Sequence, residues 1–169
     1  MPDSLAAEDV VPRLRGSFGR PYLFVTSTPS TQLLVTADAP EGALVITDEQ
    51  TAGRGRMGRR WLAPAGTSLL CSIQLRPTVA ASRLPELTGV AARASAEAIE
   101  ELAGIRPEVK FPNDLLVAGR KVAGLLPLPQ WWSTLFGGSG AAKVAAALVA
   151  AVVAGGGVVE VAKVGRPLP

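Results

Sequence analysis

Histidine is absent from the 169-residue chain. Without imidazole there is no Ser-His-Asp or Cys-His catalysis, and the common zinc sites lose one of their two usual ligands. The other ligand, cysteine, occurs once, as Cys71. A lone thiol closes no intramolecular disulfide and builds no cysteine-based zinc site, which suits a reducing cytoplasm. Set in the apolar run Ser68–Leu75, it reads as a small buried residue rather than a nucleophile. Aromatics are also few: one Tyr, four Phe and three Trp. No metal site is expected from the side chains, so chemistry must run on Arg, Lys, carboxylates and backbone amides. Strong hydrophobic runs are missing as well. The longest, residues 144–159, is mainly Ala, Val and Gly, too short and too weakly apolar for a membrane span. Asp3, Glu8 and Asp9 leave the N-terminus without the apolar stretch of a secretory signal. The expectation is a soluble, cytoplasmic protein with no membrane partner.

What is present is globular in balance, with 48% hydrophobic and 18% charged residues. The formal charge is +3 and the pI about 9.5, too mild an excess to imply nucleic acid. Its distribution says more. Arg54, Arg56, Arg59 and Arg60 stand together among glycines, and a local basic cluster of that kind suggests an anionic ligand.

Periodicity gives a coarse architecture. A short helix is expected over residues 4–14, then strands at 22–26, 43–47 and Ser68–Leu75. Between the last two, residues 51–60 form an arginine- and glycine-rich loop without periodicity. From Leu84 to Leu102 the apolar positions Leu87, Val90, Ala91, Ala94, Ala98, Ile99 and Leu102 recur at helical spacing, and Gly104 closes the helix. A strand at 109–111 stops at Pro112, and 115–117 with 122–126 form a hairpin around Gly119-Arg120. The fold class is therefore α+β, a mixed, largely antiparallel sheet with helices packed on one face. Beyond residue 126 the composition shifts to Ala, Gly and Val, and helix propensity is high over 141–154. The division expected is a domain over 1–126 and an atypical tail over 127–169.

Three segments can carry chemistry. Gly53, Gly55 and Gly58 satisfy a G-x-G-x-x-G spacing, but Pro64 and Gly66 follow instead of the helix that a dinucleotide turn requires. The same loop offers approachable backbone N–H groups interleaved with guanidinium groups, able to wrap a phosphate or acyl phosphate; the plainer alternative is a solvated basic turn. In Lys110-Phe111-Pro112-Asn113-Asp114, the lysine ends a strand and either holds a developing negative charge or sits idle at the surface. Ser30-Thr31-Gln32 supplies short hydrogen-bonding side chains.

In combination and order, these segments resemble the biotin–protein ligase family. The matching stretches are Ser30-Thr31-Gln32, Gln50 to Trp61 with its Gly-Arg-Gly-Arg core, Lys110-x-Pro112-Asn113-Asp114 and Gly119-Arg120-Lys121-x-Ala123-Gly124, together covering about residues 20–126. The resemblance implies ATP-dependent formation of biotinyl-5′-AMP and transfer of the biotinyl group to a lysine of a biotin carboxyl carrier domain. It implies that Ser30, Thr31, Gln32 and Gln50 contact biotin, that Arg54, Gly55 and Arg56 close over the adenylate, and that Lys110 binds carboxyl or phosphoryl oxygens. Lys110 and Arg56 would be the catalytic pair, with Trp61, Asn113, Lys121 and Gly124 near the nucleotide. Mg²⁺ would accompany ATP, with Asp114 as a contributor.

The sequence departs from that pattern at Phe111, where the family usually has Trp, and at Gln32, where Asn is more usual. After Pro127 the family's Gly-x-Gly-x-Asn turn has no counterpart, nor is a DNA-binding domain expected ahead of residue 20. Activity compromised by the altered C-terminus, and an unfinished sheet edge there, are the corresponding expectations. The competing readings are a non-catalytic biotin-binding or vestigial fragment, a lipoate–protein ligase of the same fold, and a nucleic-acid module built on Arg54 to Arg60. The last lacks aromatics for base stacking.

Overall fold

The computed structural model describes residues 4–55, 60–126 and 146–153. Seven strands form one sheet in the order β1-β2-β5-β9-β8-β7-β6. They are β1 (Tyr22–Thr28), β2 (Leu44–Gln50), β5 (Ser68–Leu75), β6 (Glu108–Lys110), β7 (Asp114–Val117), β8 (Arg120–Leu126) and β9 (Ala146–Val153). Among the described residues only β1 and β2 run parallel; the other pairings are antiparallel. A two-stranded ribbon, β3 (Gly53–Arg54) with β4 (Arg60–Trp61), stands apart. The expected mixed, largely antiparallel α+β class is the one observed.

Helix α1 (Ala7–Val10) continues into a 3₁₀ turn at Val11–Arg13, and the Tyr22 hydroxyl donates to Leu5 O at 2.7 Å, tying this segment to β1. The long helix α2 (Leu84–Ala103) ends where expected, with Gly104 at φ 66° and its N–H on Glu100 O. Its buried stripe is rotated from the expected one. Thr88 and Ala92 are buried, and Ala91, Ala96 and Ile99 pack beside them. Val90 and Leu102, expected inside, are 51% and 68% exposed. Small residues allow this: Ala92 sits flush against Leu115, Ala123 and Leu125 of β7 and β8, a close approach that a larger side chain would prevent.

The hairpin turn falls at Ala118-Gly119 rather than one residue later. Both have positive φ, 48° and 73°, and Val117 pairs with Arg120 across them, the two-residue geometry that matches strand twist.

The helix propensity read over 141–154 gives way, over residues 146–153, to strand β9. Residues 146–153 form a strand paired on both edges, with β5 from Ser68↔Val153 to Leu75↔Ala146 and with β8 from Ala123↔Val152 to Leu126↔Val149. Alanine's helix propensity gives way because the facing edges of β5 and β8 each need a backbone partner. The unfinished edge expected there is thereby filled. Residues 127–145 and 154–169 of the tail lie outside the described residues.

Candidate functional site

The two faces of the sheet differ in chemistry. Leu115 of β7 packs on α2, and side chains alternate along a strand, so its neighbour Asp114 belongs to the opposite face. Directly paired residues share a face. Lys110 pairs with Asp114, Asp114 with Gly124, Gly124 with Ala151, Ala151 with Leu70 and Leu70 with Thr47. One row of positions therefore crosses the sheet away from α2, with Lys110 at one end.

At the other end lies a buried polar cluster. β1 runs into a 3₁₀ turn, Thr31–Leu33, with Ser30 at the position before it. Ser30, Thr31, Gln32 and Gln50 are all buried, although short polar side chains usually sit at the surface. Thr31 is fully enclosed and explains why. Its N–H donates to Gln50 Oε1 at 2.8 Å, its hydroxyl reaches the same oxygen at 3.1 Å, and its Oγ1 lies 2.8 Å from Ser72 Oγ. Ser30 and Gln32 make no side-chain hydrogen bond among the described residues.

Contacts run on from this cluster. Gly53 packs so tightly between Gln50 and Trp61 that a Cβ there would lie 2.6 Å from Trp61 O and 3.2 Å from Gln50 Nε2. The arginine-glycine segment, expected as an irregular loop, is pinned at its ends by the Gly53↔Trp61 and Arg54↔Arg60 pairs. Trp61 packs on Ala63 and Leu70, and its indole N–H is buried without a partner among the described residues. Lys121 Nζ sits 5.3 Å from the centre of the Trp61 ring and 2.7 Å from Asp114 Oδ1. Gly124 makes room for that ammonium; a Cβ would meet Lys121 Cε and Nζ at 3.0 Å.

Of the remaining expected residues, Lys110 is exposed on the edge strand β6, and its side chain makes no hydrogen bond or ion pair among the described residues. Arg54 is exposed on β3 and Gly55 is half-buried beside it. Asn113 is buried, its side-chain amide donating to Leu125 O at 3.0 Å, so at least one of its groups holds the β7–β8 junction together. Arg56 lies outside the described residues. A hollow of about 300 Å³ between β1, β2 and residues 34–40 is lined mainly by apolar side chains, with Thr36 and Asp38 among them.

Ser72 was not singled out by the sequence. Leu70, Ser72 and Gln74 alternate along β5 and are almost wholly buried, but a serine within an apolar strand carries no local mark of the polar cluster it joins.

The biotin/lipoate A/B protein ligase family matches residues 24–130. The chain belongs to that family. Among its relatives, the bifunctional ligase/repressor BirA of Bacillus subtilis is 47% identical over 93 residues, 55% of this chain and 29% of the relative. The biotin–[acetyl-CoA-carboxylase] ligase of Paracoccus denitrificans is 40% identical over 102 residues, 59% of this chain and 42% of the relative. This biotin/lipoate ligase-family chain thus spans less than half the length of those relatives. The biotin protein ligase of Aquifex aeolicus, solved in complex with biotin and ATP, superposes with a TM-score of 0.58 at 27% identity, covering 77% of this chain and 50% of that one.

Proposed function

We propose that the chain activates biotin with ATP to biotinyl-5′-AMP and passes the biotinyl group to a lysine of a biotin carboxyl carrier domain. The observation that carries this reading is the unbroken line of contacts from the buried Thr31–Gln50 cluster, through Gly53 and Trp61, to Lys121 and Asp114. It suits a ligand with a neutral, hydrogen-bonding head and an anionic end. The Aquifex ligase, described with both biotin and ATP bound, supports the same assignment.

In the first step a biotin carboxylate oxygen attacks the α-phosphorus of ATP. A new C–O–P bond forms, the Pα–O–Pβ bond breaks and pyrophosphate leaves with the electron pair. The attacking group is already ionised at neutral pH, so no general base is needed; positioning and neutralisation of charge carry the step. Lys121 and Lys110, on one face, and Arg54 and Arg56, in the arginine-glycine segment, are the cations for that role. Ser30, Gln32 and Gln50 hold the biotin head with Thr31 acting on it through Gln50, Gly55 lets the segment approach the adenylate, and Trp61, Asn113 and Gly124 border the nucleotide. In the second step an acceptor-lysine amine attacks the acyl carbon and AMP departs with the bonding pair.

Among the described residues no three His, Cys, Asp or Glu side chains cluster, so the donor set does not fit an all-protein metal site. It does fit Mg²⁺ carried mainly by phosphates and water, with Asp114 as the carboxylate. When bound, that ion supplies charge neutralisation on the phosphates. No helix among the described residues is long and apolar enough to cross a membrane, and the single cysteine suits our placement of the protein in the cytoplasm. We assign the activity to residues 1–126, with residues 127–169 as an atypical tail that supplies one strand.

The test is adenylate formation from biotin, Mg²⁺ and α-labelled ATP. Wild-type protein should yield biotinyl-AMP, and Lys110→Ala should lower the rate by about 10²–10³, the scale for removing one fixed donor from a developing charge. Folded wild-type protein that binds biotin and forms no adenylate would leave a vestigial biotin-binding domain instead.

A further inference from the structure

We infer that Ser72 is a positioning residue for ligand recognition, the anchor of a one-way hydrogen-bond relay that turns the Gln50 amide into a donor. The direction follows from hydrogen-atom accounting. A backbone N–H can only donate, so the Gln50 atom 2.8 Å from Thr31 N must be the amide oxygen. Thr31 Oγ1, 3.1 Å from that oxygen, must then give it the single hydroxyl proton. The 2.8 Å contact between Thr31 Oγ1 and Ser72 Oγ consequently runs from Ser72 to Thr31. With its oxygen engaged twice, Gln50 has only its NH₂ group left to present.

The relay is set in the interior of the sheet. Ser72 lies mid-strand on β5, paired with Val45 of β2 and Val149 of β9, and both Ser72 and Thr31 are fully enclosed. A buried hydroxyl left without its partner is costly, so each group keeps its neighbour's orientation. A fixed NH₂ group selects for a ligand acceptor and against a ligand donor. On the biotin reading above, from which this inference starts, that acceptor is the ureido carbonyl oxygen.

The test compares biotin with 2-iminobiotin, in which a guanidinium C=NH₂⁺ replaces the ureido C=O at neutral pH, using calorimetry on the full chain. Wild type should favour biotin. Ser72→Ala and Thr31→Val each remove one hydroxyl while sparing the Thr31 N–H, and each should narrow the preference by about three- to tenfold, the scale of one net hydrogen bond. Because Ser72 acts through Thr31, the double variant should narrow it no further than Thr31→Val alone. A purely structural serine would weaken both ligands equally. An unchanged ratio in Ser72→Ala, or additive losses in the double variant, overturns the relay while leaving biotin binding intact. Wild type that binds no biotin overturns the biotin reading and the relay's role with it. Should Ser72→Ala not fold, Gln50→Glu decides: the second carboxylate oxygen replaces NH₂ and the preference should invert toward the guanidinium. Retained preference for biotin in that variant overturns the inference.

Discussion

The Lys121 ammonium forms an ion pair with Asp114, 2.7 Å from Oδ1, while the same ammonium lies 5.3 Å from the centre of the Trp61 ring. One cation is thereby held between a carboxylate on the neighbouring strand and an aromatic wall from the β3–β4 ribbon. The pair is partly open to solvent, with side chains 40% and 25% exposed. Its contribution to stability is small for that reason, and its value lies in where it holds the charge. Asp114→Asn should shift the unfolding free energy by less than about 1 kcal/mol. Adenylate formation should nevertheless fall by about tenfold or more as the lysine loses its fixed seat. Urea denaturation beside the labelled-ATP assay checks both parts; normal adenylation in the variant would show that Lys121 needs no such anchor.

Gly124 borders this cation and Gly53 packs against its Trp61 wall, and the same substitution should act differently at each. At Gly53 an added methyl meets the backbone oxygen of Trp61 at 2.6 Å, and backbone cannot step aside cheaply. Gly53→Ala should destabilise the fold by about 1–3 kcal/mol. At Gly124 the nearest atoms are the tip of Lys121, which can swing away. Gly124→Ala should stay within about 0.5 kcal/mol of wild type while raising the KM for ATP. Thermal denaturation with steady-state kinetics separates the two; equal destabilisation at both sites would contradict the packing described.

An acid-limb prediction follows from the first turn of α2. The Arg83 guanidinium, hydrogen-bonded to Glu86 at 2.9 Å, holds that carboxyl below the usual glutamate value, through the hydrogen bond first and the charge second. A folded value below the unfolded one means the pair's stabilisation is present above the unfolded value and is lost as pH falls through the folded one. Both groups are exposed, so the effect on stability is slight, but an NMR titration resolves it directly. Arg83→Ala should move the Glu86 midpoint upward; an unmoved midpoint would remove the arginine as the cause.

Sequence patterns located most strands because their signals are local. Ser68–Leu75 is a β-favouring run that coincides with β5, and Gly104 marks the end of α2 as only a residue at ease with positive φ can. The β9 strand was not legible, since Ala146 to Val153 carry helix propensity and become a strand only through two edges contributed by residues far away in sequence. The site divides the same way. Thr31, Gln50 and Lys121 stood out through their motifs, whereas Ser72 depends on a partner 41 residues away. No local signal marks a serine in an apolar strand as part of a polar cluster.

The rotation of α2 gives the last prediction, because it reverses which alanines tolerate size. Sequence periodicity put Ala94 on the buried stripe, whereas the structure leaves it exposed and encloses Ala92 completely against Leu115, Ala123 and Leu125. Leucine adds three heavy atoms and keeps good helix propensity, so any loss of stability reports on space and not on helix formation. Ala92→Leu should cost about 1–3 kcal/mol by overpacking, and Ala94→Leu should stay within about 0.5 kcal/mol. Urea midpoints for the two variants at unchanged m-value measure the difference. If Ala94→Leu proved the damaging change, α2 would lie on the sheet with the stripe that periodicity indicates, and the close approach of Ala92 to β7 and β8 would be wrong.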